Sequence, residues 1–161
     1  MKIEILSVKF LKSFINHLSE VDRDFKTMAF EPSERSPDIK IYKEYLKNKF
    51  SKTYLLTVEE EIVGHMTIDL NKRRRMRHVA QISCAVKKGF HSKGIGQSLL
   101  RYCLNEVVPM KIKKVEAMTL KEHLSVRHVL EKFGFKKEGR KRKSFCVDGE
   151  YKDEIIYGLS I

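Results

Sequence analysis

The residues with the clearest capacity for chemistry lie in the run ISCAVKKGFHSKGIGQSLL, Ile82 to Leu100. An apolar strand leads into a short loop carrying Gly89, Gly94 and Gly96, and a helix begins at once. Glycine lets a backbone turn tightly there and present its N–H groups. The first turn of a helix has N–H donors without partners and carries the positive end of the helix dipole. Such a nest suits phosphate oxygens, and His91, Ser92 and Lys93 add side-chain donors at its mouth. A ligand-free strand-to-helix turn uses the same glycines, so spacing alone leaves both readings open. Two common phosphate loops are excluded. GxxxxGK[ST] fails because Gln97 and Ser98 follow Gly96, and GxGxxG fails because Leu99 replaces the third glycine.

The remaining reactive residue types read as bland. Cys84 lies in an apolar strand and reads as a buried, inert thiol. His65 and His78 have no companion at ligand spacing, so no metal is expected. Glu59 to Glu61 form a solvated turn, and Phe10, Phe14, Tyr42 and Tyr45 fall on helical stripes as core or pocket wall.

These residues need a scaffold, and the chain is long enough to fold one. Its 161 residues, 42% of them hydrophobic, fit a single domain over residues 1–161 with its own core. No apolar run approaches the roughly 18 residues of a membrane span. The start MKIEILSVKFLKS interrupts its apolar residues with charge, unlike a secretory leader. The three cysteines Cys84, Cys103 and Cys146 are unpaired in spacing, which suits reduced thiols and a cytoplasmic location. Net charge is +12, from 33 Lys and Arg against 21 Asp and Glu, and it favours anionic partners without choosing among them. Two basic runs stand out, Lys72 to Arg77 and Arg140 to Lys143.

Periodicity predicts strand Ile3–Leu6, helix Val8–Leu18, a loop over Asp22–Asp38 and helix Ile39–Phe50. A hairpin follows, Thr53–Val58 with Ile62–Leu70, and then the central strand Val79–Val86. Helix Gly94–Val108, strand Val115–Leu120 and helix Ser125–Phe133 come next, before strands Phe145–Val147 and Glu154–Leu159. The order gives a mixed α/β sheet flanked by helices.

HSKGIG resembles the acetyl-CoA motif of the GNAT superfamily of N-acetyltransferases, (R/Q)xxGxG/A after a central strand, with His91 at the Arg or Gln position. HLSVRHVLEKFGFKKEGRKRKSFCVDGEYKDE is similar to the family's later NxxAxxLYxxxGFxxEG motif and DGxYxD hairpin. EPSERSPD and the RRRMRHVA lead into the central strand resemble one bacterial branch. The resemblance covers nearly the whole chain. It implies a GNAT fold, α/β with a mixed, mostly antiparallel sheet in which two central strands splay.

It further implies transfer of the acetyl group of acetyl-CoA, as co-substrate, to a primary amine by direct attack in a ternary complex. The pantetheine arm would pair with Cys84, Ala85 and Val86, and the pyrophosphate with the N–H groups of His91, Ser92, Lys93, Gly94, Ile95, Gly96 and Gln97. A backbone N–H at Val86 would face the oxyanion. Phe30, Glu31 and Glu34 would border the acceptor amine, unless the two carboxylates lie exposed beside Arg35. Three active positions depart from the family: Gln81 replaces a basic Glu, Leu130 the acidic Tyr, and His123 the cofactor-touching Asn. His123, whose range suits proton transfer, is then either the catalytic base or a helix cap. The acceptor would be a small amine, a protein N-terminus or a lysine; homodimers are common in the family. The departures also motivate an alternative, an acyl-CoA-binding or RNA- or ribosome-associated module with little turnover.

Overall fold

A computed structural model describes all residues, Met1–Ile161. Strands Lys2–Ile5 (β1), Ser51–Val58 (β2), Glu61–Leu70 (β3), Val79–Val86 (β4), Lys114–Leu120 (β5), Lys136–Val147 (β6) and Glu150–Ser160 (β7) form one sheet. Its order is β1-β2-β3-β4-β5-β7-β6. The β1–β2, β2–β3, β5–β7 and β6–β7 pairs are antiparallel, and β4–β5 is parallel. The helices are Leu11–Asp24 (α1), Ile39–Leu46 (α2), Ile95–Val107 (α3) and Leu124–Lys132 (α4). Contacts group the chain into two compact units, Met1–Asp69 with Cys84–Glu106, and Leu70–Ser83 with Val107–Ile161.

In the first unit, β2 and β3 are buried over continuous runs, Thr53–Thr57 and Ile62–Met66, as strands covered on both faces must be. The helix α1 turns Leu11, Phe14, Leu18 and Val21 inward at three- and four-residue spacing, the first three packing with Leu6, Leu55 and Ile62. This stripe continues past Leu18, so α1 ends at Asp24, six residues beyond the predicted end. Helix α2 starts at an Asp38 cap, whose carboxylate accepts from Lys40 N at 2.9 Å, and stops at Leu46, short of Phe50.

On the opposite face Gly64 admits α3. A Cβ there would lie 2.9 Å from Ile95 Cγ2, and 3.3 Å from both Ala85 O and Leu99 Cδ1. Glycine thus sets how closely the start of α3 approaches the sheet.

In the second unit the final hairpin is much longer than predicted. The strand β6 begins at Lys136 and is exposed along most of its length. Its basic composition hides it from a search for apolar alternation. Register shifts at Lys137/Gly139 and Lys141/Phe145 bend it against β7.

Candidate functional site

The alternation along β4 breaks where chemistry was expected. Ala80 and Ile82 are buried and Gln81 and Ser83 exposed, but Cys84 is exposed as well and Ala85 returns to the interior. The phase slips by one residue, and the β5 register involves only Val79 to Ile82. The expected buried thiol is therefore corrected: Cys84 is open to solvent. The density of protein around β4 nonetheless pushes its pKa up, to about 12.

Beyond β4 the chain turns through Gly89 (φ +85°), Ser92 (φ +61°) and Gly94 (φ +77°) before entering α3. At Gly94 the left-handed backbone demands glycine, and no atom lies within 4 Å of where a Cβ would stand. Ser98 N donates to Gly94 O at 2.9 Å, closing the first helical turn. The N–H groups of Ile95 and Gly96 lie in that first turn, where an α-helix supplies no acceptor of its own. Gly96 lies against Val86, whose Cγ2 is 3.9 Å from the position of an added Cβ. Open space, positive φ and the donors of a first helical turn together fit a pyrophosphate.

His91 differs from expectation. Its Nε2 lies 2.8 Å from Val86 O, and its ring stacks on Phe25 at 4.9 Å and 9°. The side chain braces the loop rather than standing free at its mouth. Lys93 Nζ sits 4.8 Å from the Phe90 ring centroid, while Lys87 pairs with Glu20 at 2.7 Å and with Glu61.

The first unit also holds a recess of about 280 Å3 lined by Ile15 and Ser19 of α1, Tyr42 of α2, and Pro32, Ser33, Arg35, Ser36 and Pro37 of the intervening loop. Arg35 Nε donates to the buried Asp22 carboxylate, and the guanidinium covers the Phe30 ring at 4.0 Å. Phe30 thereby supports the recess. Glu31 and Glu34 close a turn on themselves, with Glu31 N donating to Glu34 Oε2 at 2.7 Å, and neither lines the recess. Arg35 pairs with Asp22, not with these two glutamates.

His65 does have a companion, 48 residues away: His17 Nε2 lies 2.9 Å from His65 Nδ1, and both are buried. Phe14 contacts both rings. Desolvation lowers His17 to about 4 and His65 to about 3, and in His65 the charges of His17 and Arg35 add to this. Both are neutral near pH 7, and no third ligand accompanies them.

In the second unit His123 stands at the N-cap of α4, but its side chain makes no capping bond, which removes the simple cap reading. Nδ1 lies 3.4 Å from Thr119 Oγ1, and burial lowers its pKa. Leu130, at the family's Tyr position, is buried core. Exposed Gln81 faces Glu116 in register on β5. The carboxylate absent at residue 81 thus has a neighbour at 116, tied to Lys114 at 2.9 Å.

The structure brings Cys84–Val86 together with His91–Gln97 around the Val86–His91 bond, and Phe30 with Arg35. The Asp22–Arg35 pair, the recess and the His17–His65 pair escaped the sequence reading. Only the stripe Leu11, Phe14, Leu18, Val21, read one turn further, signals that Asp22 lies on a buried face.

Residues 16–135 match the family model described as the acetyltransferase (GNAT) family. The L-amino acid N-acetyltransferase AaaT of Escherichia coli (strain K12) is 28% identical over 107 residues, 63% of this chain and 64% of that protein, so the match spans less than two thirds of it. Among solved structures, a GNAT-family acetyltransferase from Streptococcus pneumoniae superposes with a TM-score of 0.87 over 99% of both chains at 17% identity. That of yncA from Salmonella typhimurium, with its cofactor acetyl-CoA, gives 0.85 over 99% of this chain and 92% of that one at 12% identity. At such identities these likenesses carry the fold.

Proposed function

The chain belongs to the acetyltransferase (GNAT) family, and we propose that it acetylates the amine of a small, carboxylate-bearing acceptor by direct attack on acetyl-CoA. The observation that carries this reading is the open, positive-φ nest at Gly94 ahead of α3. Gly94, Ile95, Gly96 and Gln97 would hold the pyrophosphate through backbone N–H groups, with Ser92 and Lys93 beside them. Cys84, Ala85 and Val86 would pair with the pantetheine arm, His91 holding the Val86 carbonyl in place. When bound, acetyl-CoA supplies a thioester carbonyl with a thiol leaving group. The Val86 N–H is the proposed donor to the oxyanion.

Arg35 carries the acceptor side of the reading. A guanidinium fixed by Asp22, surrounded by Ser19, Ser33 and Ser36, offers remaining donors suited to a carboxylate. Ser19 lies on α1, and Phe25, the residue that stacks on His91, follows directly on the end of that helix, so α1 links the recess to the loop's brace. The amino acid substrate of the Escherichia coli relative supports the same class. His123, neutral through burial, is the proposed proton acceptor. An amine of pKa about 10.4 arrives protonated and must lose a proton before attack.

The test is Arg35→Leu assayed with an α-amino acid and with the amine lacking its carboxylate. The variant should raise KM at least tenfold for the amino acid and leave the decarboxylated amine unaffected. Equal losses for both would remove Arg35 from recognition.

A further inference from the structure

The chain's positive charge is divided unevenly between its two units. The first unit, which contains the glycine loop, has 15 Lys and Arg against 13 Asp and Glu, a net +2. The second has 18 against 8, a net +10 of the chain's +12. Within that unit the charge gathers at one end of the sheet. The strand β4 starts there, since Val79 pairs with Lys114 and Lys114 with Ser160, while Lys136 at the start of β6 pairs with Gly158. The loop before β4 supplies Arg73, Arg74, Arg75 and Arg77, all exposed, and β6 supplies Lys136 and Lys137 about 14 Å across the sheet, at roughly 4.8 Å per strand. None of these six makes an ion pair.

From this end the charge runs along β6, an exposed edge strand of 12 residues, about 40 Å at 3.3 Å per residue. Arg142 is likewise unpaired, whereas Arg140 is held by Asp153, and Lys114 by Glu116 and Glu138. Across the hairpin Tyr151 exposes 67% of its surface, with Lys143 Nζ 6.0 Å from its ring centroid. So many unpaired like charges repel one another, and a polyanion that spans them relieves that repulsion.

We infer that this basic end and edge of the second unit bind the phosphate backbone of single-stranded RNA, with Tyr151 as a stacking platform. Guanidinium groups match phosphate geometry, and an exposed aromatic beside cations suits unpaired bases. The inference is independent of the acetyl-transfer reading, because none of these residues belongs to the proposed site.

The test is fluorescence anisotropy of a labelled oligouridylate across a salt series. With about seven phosphates neutralised, log K should fall against log[salt] with a slope near −5 for a single strand. The variant R73Q/R74Q/R75Q/R77Q should weaken binding at least tenfold and flatten that slope by about 3. Tyr151→Ala should weaken binding with the slope unchanged. Thermal unfolding with and without acetyl-CoA checks that each variant is folded, and K136Q/K137Q/R142Q replaces the first if it is not. Absence of saturable binding near 50 mM salt would overturn the inference, as would an unchanged slope in the variants. Equal affinity for phosphatidylserine vesicles or polyglutamate would also overturn it.

Discussion

Acidification should unfold this protein through its buried histidine pair. The contact between His17 Nε2 and His65 Nδ1, 2.9 Å, needs one donor and one acceptor, which two neutral rings provide and two imidazolium rings cannot. Desolvation holds the folded pKa values at about 4 and about 3, below the 6.5 of an unfolded histidine. Below pH 6.5 the unfolded chain therefore takes up protons that the folded chain refuses. Stability fully present above that pH is lost as pH falls toward 4. At about pH 5 the loss is about 2 kcal/mol per histidine and about 4 kcal/mol for the pair. Set against a typical total of about 5–15 kcal/mol, this is a large fraction. Glu20, Glu61 and Lys87 face His17, and Arg35 acts on His65, so the surroundings hold both signs and desolvation decides the outcome. Urea unfolding followed by circular dichroism should move its midpoint down by roughly 2 M between about pH 8 and about pH 5, for an m-value near 2 kcal/mol/M. The double variant H17Q/H65Q should lose most of that shift. The same shift in both proteins would refute the reasoning.

Two further outcomes follow from the geometry. Gly64→Val drives a side chain toward Ile95 and the Ala85 carbonyl, so it should cost roughly 1–3 kcal/mol, seen as a lower thermal midpoint, and weaken acetyl-CoA binding because the start of α3 is displaced. His123→Ala should cut turnover roughly 10²- to 10⁴-fold with little change in acetyl-CoA affinity, and abolish the acid limb of the rate profile; an unchanged profile would exclude His123 as the base.

The order of elements along the chain, α3 and the glycine loop were legible because their signals are local. Apolar runs mark β2 to β5, and glycines mark the turn into α3. The hairpin of β6 and β7 was truncated in the sequence reading because β6 is exposed and basic, so it shows no alternation of apolar and polar residues. The slip at Ser83–Cys84 was illegible because it depends on how β4 leaves its neighbour, not on the identity of either residue. Asp22–Arg35 and His17–His65 join residues 13 and 48 apart, a pairing that only the packing of α1 on its loop and on β3 reveals.

The most direct test of the central claim, that the loop before α3 holds acetyl-CoA, is thermal unfolding of the wild-type chain and of Gly94→Asp, each with acetyl-CoA, desulfo-CoA and ATP. At 100-fold over its dissociation constant a specific ligand adds about 2.7 kcal/mol, roughly 5–10 °C here. The account predicts that rise for the wild type with acetyl-CoA, a clearly smaller rise with ATP, and none for Gly94→Asp, whose carboxylate would occupy the open side of the nest. An equal rise for every polyanion, or an undiminished rise in Gly94→Asp, would contradict it.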